Sequence, residues 1–263
     1  MVLGRPLAVV TGASTGIGYE LAKCCAMNGF DLLIVADESR IRDAAQSLKM
    51  NGATVEALEA DLSTTKGVDE LYAKIAGRPV AALLANAGRG LGKGFLDQDF
   101  NEARRVVDTN ITGTIYLIHK VGNDMRQVGE GKILLTGSIA GFMPGTFQAV
   151  YNGTKAFIDS FAAALREELK DTGVTVSCLM PGATETEFFK RADLMDAKIG
   201  QSEKDDPADV AELGFDAMMK GTDHVIFGAK NKLQVAAASV LPSSSTMAKQ
   251  HRKQAEPGSA SEH

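Results

Sequence analysis

The chain has few cysteines, few histidines and no long apolar run, and each shortage excludes a class of protein. The 3 Cys and 4 His among 263 residues are not spaced as metal ligands, so we expect no metal site. An odd cysteine count without a secretory signal indicates a reducing compartment. No apolar run is long enough for a membrane-spanning helix. We therefore expect a cytoplasmic protein without a membrane span.

Acidic residues outnumber basic ones, 33 to 28, which limits the possible partners. The net charge of −5 argues against a nucleic-acid-binding protein. Hydrophobic residues make up 44% of the chain and charged residues 23%, as in a globular protein with a substantial buried core. Strand-like sequence within the first dozen residues leads us to expect no targeting segment.

Short apolar runs alternate with helix-like segments along most of the chain. The apolar runs predict strands near residues 6–10, 31–37, 54–61, 81–88, 132–138, 174–182 and 223–227. Repeated strand–helix units predict an α/β protein with a doubly wound parallel sheet of about seven strands and helices on both faces. Ligands of such sheets bind beyond the carboxyl ends of the strands.

One domain is expected over residues 1–242, with a substrate lid at about 183–206. Within the lid, Phe188, Phe189 and Met195 could cover a ligand or pack only locally. A single long helix is predicted from about Phe100 to Gln127. After the last strand, KNKLQVAAASVLP could form an extra helix for packing or subunit contact. The polar residues 243–263 are expected to form a disordered tail.

The segment TGASTGIG lies between a predicted strand and a predicted helix, which is the context of a dinucleotide-binding turn. Gly12, Gly16 and Gly18 would let the backbone turn tightly and approach a pyrophosphate. The helix N-terminus that follows offers free N–H groups and a favourable dipole. Asp37 ends the second predicted strand, 19 residues after Gly18, near the position of the acid that bonds ribose hydroxyls.

Ser138, Tyr151 and Lys155 are the residues that carry the predicted chemistry. Tyr151 and Lys155 are four residues apart on a predicted helix and so project from one face, while Ser138 follows a predicted buried strand. A free tyrosine, with a pKa of about 10, is a poor base at neutral pH, and a nearby ammonium would lower that pKa. The group predicts acid–base catalysis of a carbonyl/alcohol interconversion, with hydride from a cofactor. Because this spacing also occurs by chance, the prediction depends on the other motifs.

The motifs, taken in order, resemble those of the short-chain dehydrogenase/reductase family over roughly residues 5–228. They are TGASTGIG, Asp61-Leu62, Asn86-Ala87-Gly88, Asn110, Ser138, YNGTK, and Pro181-Gly182 followed by Thr184 and Thr186. The resemblance implies a three-layer Rossmann fold. It also implies an NAD(P)-dependent oxidoreductase that acts on a small-molecule alcohol, ketone or aldehyde.

The resemblance also implies a role for each matching residue. Tyr151 would be the acid/base, Lys155 would lower its pKa and bond the nicotinamide ribose, and Ser138 would orient the substrate oxygen. Asn110 would hold a water in a proton relay to Lys155. The residues implied in cofactor binding are Gly12, Ser14, Thr15, Gly16, Ile17, Gly18, Asp37, Asp61, Leu62, Asn86, Ala87, Gly88, Tyr151, Lys155, Pro181, Gly182, Thr184 and Thr186.

Cofactor preference and oligomeric state follow from finer features of the same resemblance. Asp37, and the lack of a basic residue at Thr15, favour NAD(H) without excluding NADP(H). The acid of NAD-dependent members more often lies one residue earlier, at Ala36, so Asp37 is a shifted match. The family pairs through the long helices before and after KILLTGS, which predicts a homodimer or homotetramer.

The glycine turn and the charged loops also allow other interpretations. A non-catalytic nucleotide sensor or scaffold, or a nucleotide-fold methyltransferase, would use the glycine turn without needing Tyr151 or Lys155. Basic residues of the loop and lid could contact an anionic substrate group, or could be solvated loop charges, the interpretation we favour: Arg89, Lys93, Lys190 and Arg191.

Overall fold

A central parallel sheet organises the chain in the computed structural model, which describes residues 4–49, 52–240 and 243–261. Its strands are β1 (Leu7–Thr11), β2 (Asp31–Ala36), β3 (Val55–Glu59), β4 (Val80–Ala85), β5 (Gly131–Thr136), β6 (Val174–Met180) and β7 (His224–Ile226). The strand order is β3-β2-β1-β4-β5-β6-β7, and every neighbouring pair is parallel. The predicted fold class is confirmed.

Helices cover both faces of this sheet. They are α1 (Gly16–Met27), α2 (Ile41–Ser47), α3 (Thr65–Ile75), α4 (Phe100–Val107), α5 (Thr114–Val128), α6 (Ala149–Leu169), α7 (Phe188–Arg191), α8 (Lys198–Gln201), α9 (Pro207–Lys220), α10 (Ala229–Val240) and α11 (Ser244–Ala255). Leu117 of α5 and Ile158 of α6 pack in one core, while Leu21 of α1 and Val210 of α9 pack in the other. Among the described helices, none has the length and apolar character needed to cross a membrane.

The sheet brings distant parts of the sequence to one edge. Central strands such as β1 are buried along their whole length because helices cover both faces. Parallel strands end at the same edge, so the residues that follow them become neighbours there. Gly12, Asp37, Asn86, Ser138 and Pro181 each follow a strand in this way.

The long helix predicted from Phe100 to Gln127 is interrupted. A π-helical segment, Asp108–Gly113, separates α4 from α5. Such segments are rare and concentrate at functional sites, because the wider turn changes the direction of the side chains on it. Asn110 lies in this segment and is buried.

The C-terminal segment differs from the expected disordered tail. Most of it forms α11, whose buried residues His251 and Ala255 lie four residues apart on one helix face. Polar composition alone favours disorder, but docking against the rest of the domain supplies the burial that orders this helix. Residues 262 and 263 of the expected tail lie outside the described residues.

Candidate active site

A cavity of about 980 Å³ extends along the carboxyl ends of the strands. Ser138 and every residue that the sequence analysis assigned to cofactor binding line this cavity. Asn110 does not line it but lies close behind. A Cβ atom placed on Gly88 would lie 3.5 Å from Asn110 Oδ1 and 3.7 Å from Lys155 Nζ. The structure therefore brings the predicted cofactor and catalytic residues together.

The glycine turn after β1 has no room for larger side chains. Gly12 has a φ of +65°, and a Cβ there would lie 2.9 Å from the Cα of Ala87. A Cβ on Gly18 would lie 2.2 Å from the carbonyl oxygen of Gly12. This packing directs the N-terminus of α1 towards the cavity, with no acidic residue in the first turn of the helix. Such a terminus favours a phosphate group.

Asn86 holds three strand ends in register beside this turn. Its backbone N–H donates to Thr11 Oγ1 at 2.9 Å, and its Nδ2 donates to the Thr11 carbonyl at 3.1 Å. Its Oδ1 accepts a hydrogen bond from Thr136 Oγ1 at 3.1 Å. One side chain thus ties the ends of β1, β4 and β5 together, which fixes the floor of the cavity.

Asp37 lies between two arginines at the end of β2. Arg89 donates to Asp37 Oδ2, and Arg105 Nη2 lies 3.5 Å from the same oxygen. Arg105 also pairs with Asp61 at 3.0 Å. Burial acts against ionisation of Asp61, but hydrogen bonds from Ser63 and the charge of Arg105 hold its pKa below the usual value. This end of the cavity therefore carries balanced acidic and basic charge.

Tyr151, Lys155 and Ser138 meet at the opposite end of the cavity. Lys155 Nζ lies 5.8 Å from the centroid of the Tyr151 ring and donates to the Thr136 carbonyl at 2.7 Å. Ser138 Oγ donates to the Pro181 carbonyl at 3.3 Å and accepts from the backbone N–H of Ala140 at 3.1 Å. The end of β5 and one face of α6 position the hydroxyl, the phenol and the ammonium around the same space.

The pKa of Tyr151 is raised in the structure, whereas the sequence predicted a lowered pKa. Burial raises the pKa of Tyr151 to about 12, opposed by the side chain of Ser138 and reinforced by the charge of Asp159. Lys155 is engaged with the Thr136 carbonyl, and burial lowers the pKa of its own ammonium. The pKa of Tyr151 is thus raised by burial here, and the lowering effect of Lys155 on that pKa stays a prediction. Tyr151 is a protonated phenol at neutral pH.

Asn110 connects the loop after β4 to α6. Its Oδ1 accepts from the backbone N–H of Arg89 at 2.7 Å. Its Nδ2 donates to the carbonyl of Arg89 and to Thr154 Oγ1, each at 2.9 Å. Because Thr154 precedes Lys155, Asn110 braces the helix turn that carries the ammonium. The water relay implied by the family resemblance stays a prediction.

Aromatic side chains of α7 cover the catalytic end. The ring centroids of Phe188 and Tyr151 are 5.0 Å apart, and Phe189 is buried with its ring edge-on to Phe188 at 5.5 Å. Met195 is 44% exposed and does not join this cover. Of the three apolar lid residues, Phe188 therefore packs against Tyr151, and Phe189 packs against Phe188.

Among the residues that the structure describes, three of the four cations of the loop and lid form ion pairs with acids of this chain. Lys93 pairs with Asp193 at 2.5 Å, and Arg191 pairs with Glu38 at 3.0 Å. Arg89 pairs with Asp37, as described above. These pairs agree with the interpretation of the loop cations as surface charges and give no support to an anionic substrate group.

Comparison with known proteins identifies the family. A family model of short chain dehydrogenases matches residues 6–197. The chain belongs to the short-chain dehydrogenase family.

This short-chain dehydrogenase is similar to relatives from bacteria and fungi. An uncharacterised oxidoreductase of Staphylococcus saprophyticus is 32% identical over 218 residues, which cover 81% of this chain and 91% of the relative. A very-long-chain 3-oxoacyl-CoA reductase of Pyricularia oryzae is 34% identical over 180 residues, covering 66% of this chain but only 54% of that longer protein. A solved short-chain dehydrogenase from Sphingobium yanoikuyae in complex with NADPH is 29% identical, with a TM-score of 0.79 and coverage of 89% of this chain and 93% of that one.

Asp159 does not line the cavity but contacts Ser138 of this dehydrogenase's site, and the sequence analysis did not identify it. It lies four residues after Lys155 and so shares its helix face, a spacing that could have revealed it. Its Oδ1 accepts from the backbone N–H of Ser138 at 3.3 Å, while Oδ2 is buried with no hydrogen-bond partner in the described part of the chain. Burial raises the pKa of Asp159 to about 6, against the opposing charge of Lys155.

The raised pKa of Asp159 predicts a specific pH dependence of stability. The folded state holds this proton more tightly than the unfolded state, so wild-type stability is lost as pH rises from about 4 through about 6. Asp159→Asn removes this loss. The unfolding free energy of the variant, relative to wild type, should rise by up to about 3 kcal/mol between about pH 4 and pH 7. Urea denaturation at a series of pH values measures it.

Asp216→Asn is the control for this experiment, because Asp216 pairs with Lys220 at 2.9 Å across the same four-residue spacing on the surface. It should leave the pH dependence of the wild type unchanged. A constant difference between Asp159→Asn and wild type at all pH values would contradict the assigned titration.

Proposed function

We propose that this short-chain dehydrogenase is an NAD(P)-dependent oxidoreductase that interconverts an alcohol and a carbonyl, with Tyr151 as the acid/base. The proposal rests on one observation: Ser138, Tyr151 and Lys155 share a single cavity with the glycine turn after β1. A nucleotide sensor or a methyltransferase would need the turn but would have no use for the other three side chains.

The residues present fit a dinucleotide. The glycine turn makes a cradle that a Cβ on Gly12 or Gly18 would fill, and the N-terminus of α1 faces the same space. Asp37 would accept hydrogen bonds from the ribose hydroxyls, and Lys155 and Thr184 would bind the nicotinamide end. When bound, the nicotinamide supplies or accepts the hydride.

The remaining chemistry belongs to the side chains at the catalytic end. As a protonated phenol, Tyr151 can donate its proton to a carbonyl oxygen during reduction. The Ser138 hydroxyl can donate a second hydrogen bond to that oxygen in place of its bond to Pro181. The Phe188 ring packs against Tyr151, and the lower exposure to water on that side would strengthen both interactions.

A substrate screen tests the proposal. NADH and NADPH oxidation would be followed against ketones, aldehydes, quinones and 3-oxoacyl-CoA esters, and the reverse reaction against the matching alcohols. Turnover that requires Tyr151 supports the proposal. Tight binding of the reduced cofactor without turnover of any compound would instead favour a nucleotide sensor, and binding of S-adenosylmethionine would favour a methyltransferase.

We further propose that NAD(H) is preferred over NADP(H), because Asp37 lies where the adenosine ribose is expected. A 2′-phosphate would place about −1.5 to −2 charge near this carboxylate. Arg89 and Arg105 offset part of the repulsion, so the preference should be about 5-fold in affinity. Asp37→Ala removes the acid and leaves both arginines for the phosphate, which should reverse the preference. Fluorescence titration with NADH and NADPH measures both constants.

Glu59→Ala is the matched control, since Glu59 is an acid at the end of the adjacent strand β3 and pairs with Arg42 at 2.9 Å, outside the cavity. This variant should keep the ratio of the wild type. Equal or tighter NADPH binding by the wild type would mean that the arginines determine the preference.

We also propose a homodimer or homotetramer formed through α5 and α6. Phe157 is 40% exposed on α6 and stacks on Phe161 at 5.9 Å, which leaves an aromatic surface on this helix. Light scattering at micromolar concentration should give a multiple of the 27.8 kDa chain mass. A monomeric mass would contradict the proposal.

A further inference from the structure

The C-terminal helix α11 packs against the loop that precedes Tyr151 and is hydrogen-bonded to it. Thr146 Oγ1 donates to the Ala248 carbonyl at 2.7 Å, and the Arg252 guanidinium lies 5.4 Å from the centroid of the Phe147 ring. Phe147 has a φ of +64°, a left-handed conformation that non-glycine residues adopt only where their surroundings hold them. The helix therefore contacts the chain a few residues from the phenol.

The residues after α11 form hydrogen bonds with the lid. Ser259 Oγ accepts from the backbone N–H of Lys198 at 3.1 Å, and the backbone N–H of Ala260 donates to the Asp196 carbonyl at 3.0 Å. The side chain of Ser259 is buried. The C-terminal segment thus spans from the loop before Tyr151 to the lid, and it forms one side of the cavity between them.

His251 is a residue of α11 whose imidazole side chain lines this cavity. It is only 6% exposed and lines the cavity together with Gln254. Its Nδ1 lies 2.9 Å from the Thr146 carbonyl oxygen, which can only accept, so Nδ1 carries the proton. Burial lowers the pKa of His251, which keeps the ring neutral at pH 7.

The second ring nitrogen of His251 is an acceptor without a donor. In a neutral imidazole with Nδ1 protonated, Nε2 carries a lone pair. Within residues 4–49, 52–240 and 243–261, no group donates to Nε2. The residue is buried, but Nε2 is not among the enclosed side-chain atoms that lack a partner, so water in the cavity can reach it. A ligand group that donates to Nε2 would take the place of that water.

We propose that α11 is the wall of the substrate end of the cavity and that His251 Nε2 accepts a hydrogen bond from an O–H or N–H group of the substrate, away from the reacting carbonyl. The substrate is then a carbonyl compound, or its alcohol, with a second neutral hydrogen-bond donor. This inference rests on the proposed alcohol/carbonyl chemistry and specifies which compounds the site selects. His251 is a specificity-determining residue in this view.

Matched pairs of ketones test the proposal. A small pair is 4-hydroxycyclohexanone and 4-methylcyclohexanone, and a large pair is 17β-hydroxy-5α-androstan-3-one and 5α-androstan-3-one. For each compound, kcat/KM is measured with reduced cofactor, and binding to the NADH-loaded protein is measured by calorimetry. One satisfied hydrogen bond should favour the hydroxylated member of at least one pair by about 3- to 10-fold in both quantities.

Two variants separate recognition from helix docking. In His251→Asn, the amide Nδ2 can take the place of Nδ1 and still donate to the Thr146 carbonyl, but nothing replaces Nε2. This variant should lose the preference and bind both members of a pair equally. Thr146→Val removes the bond to Ala248 and keeps the carbonyl that His251 uses. It should lower the melting temperature and retain the preference.

The outcomes distinguish this proposal from the proposed function. If neither member of either pair binds more tightly to the wild type, or if His251→Asn keeps the preference, the proposal is overturned. If Thr146→Val and His251→Asn lose the preference equally, His251 only docks the helix, which also overturns it. A binding preference that depends on His251, without reduction of any ketone, would support this inference and count against the proposed function alone.

Discussion

Tyr151→Phe is expected to lower kcat at least about 10²-fold, the scale of general acid–base catalysis. The substitution keeps the ring that packs at 5.0 Å from Phe188 and removes the only proton that this side chain can donate. The affinity for reduced cofactor should stay near that of the wild type, because the glycine turn and Asp37 are unchanged. Steady-state kinetics and a fluorescence titration with NADH measure the two effects separately.

Tyr116→Phe is the control for the loss of a tyrosine hydroxyl. The Tyr116 hydroxyl donates to Asp69 at 2.9 Å, outside the cavity. This variant should retain the kcat of the wild type. Turnover by Tyr151→Phe close to that of the wild type would contradict the assigned mechanism, since no other phenol lines the cavity in the described part of the chain.

Much of this site could be predicted from sequence because local patterns and the sheet topology agree. Alternating apolar runs and helices require a parallel sheet, and a parallel sheet places the residues after its strands at one edge. It could therefore be predicted, without any knowledge of their contacts, that four residues lie near one another: Gly12, Asp37, Asn86 and Ser138. The spacing of Tyr151 and Lys155 similarly placed both on one face of α6.

The features that sequence did not predict depend on tertiary packing. The π-helical turn at Asn110 arises within a continuous helical pattern and has no propensity signal of its own. Helix α11 is polar, and its burial of His251 depends on Thr146, which is about a hundred residues away in sequence. The four-residue spacing of His251 and Ala255 is the one feature of the sequence that could have indicated a buried face.

The charge state of the catalytic end also required the structure. From sequence, a lysine near a tyrosine predicts a lowered phenol pKa. Burial has the opposite effect on a phenol, and it is the larger effect here, with the pKa of Tyr151 raised to about 12. Asp159 adds negative charge that also disfavours the phenolate. These effects keep Tyr151 protonated at neutral pH, which agrees with its proposed role as the proton donor in reduction.

Lys155→Met should damage catalysis and cofactor binding together. It keeps most of the apolar stem and removes the ammonium that donates to the Thr136 carbonyl at 2.7 Å. Loss of the proposed charged hydrogen bond from Lys155 to the nicotinamide ribose should weaken cofactor binding by roughly 10- to 100-fold. The loss of kcat should reach at least about 10²-fold if the ammonium also supports proton transfer. The same titration and steady-state assays measure both.

The carboxylate of Asp159 gives this variant a second, independent readout. In wild type the charge of Lys155 opposes the rise of the Asp159 pKa above its usual range. Without Lys155, no cation on the same helix face compensates the negative charge of ionised Asp159. The Lys155→Met protein should therefore be destabilised more at about pH 8 than at about pH 5. Lys132→Met, which removes a lysine bonded to the Met219 carbonyl outside the cavity, should show neither effect. Normal cofactor affinity together with normal kcat in Lys155→Met would mean that the ammonium serves only the fold.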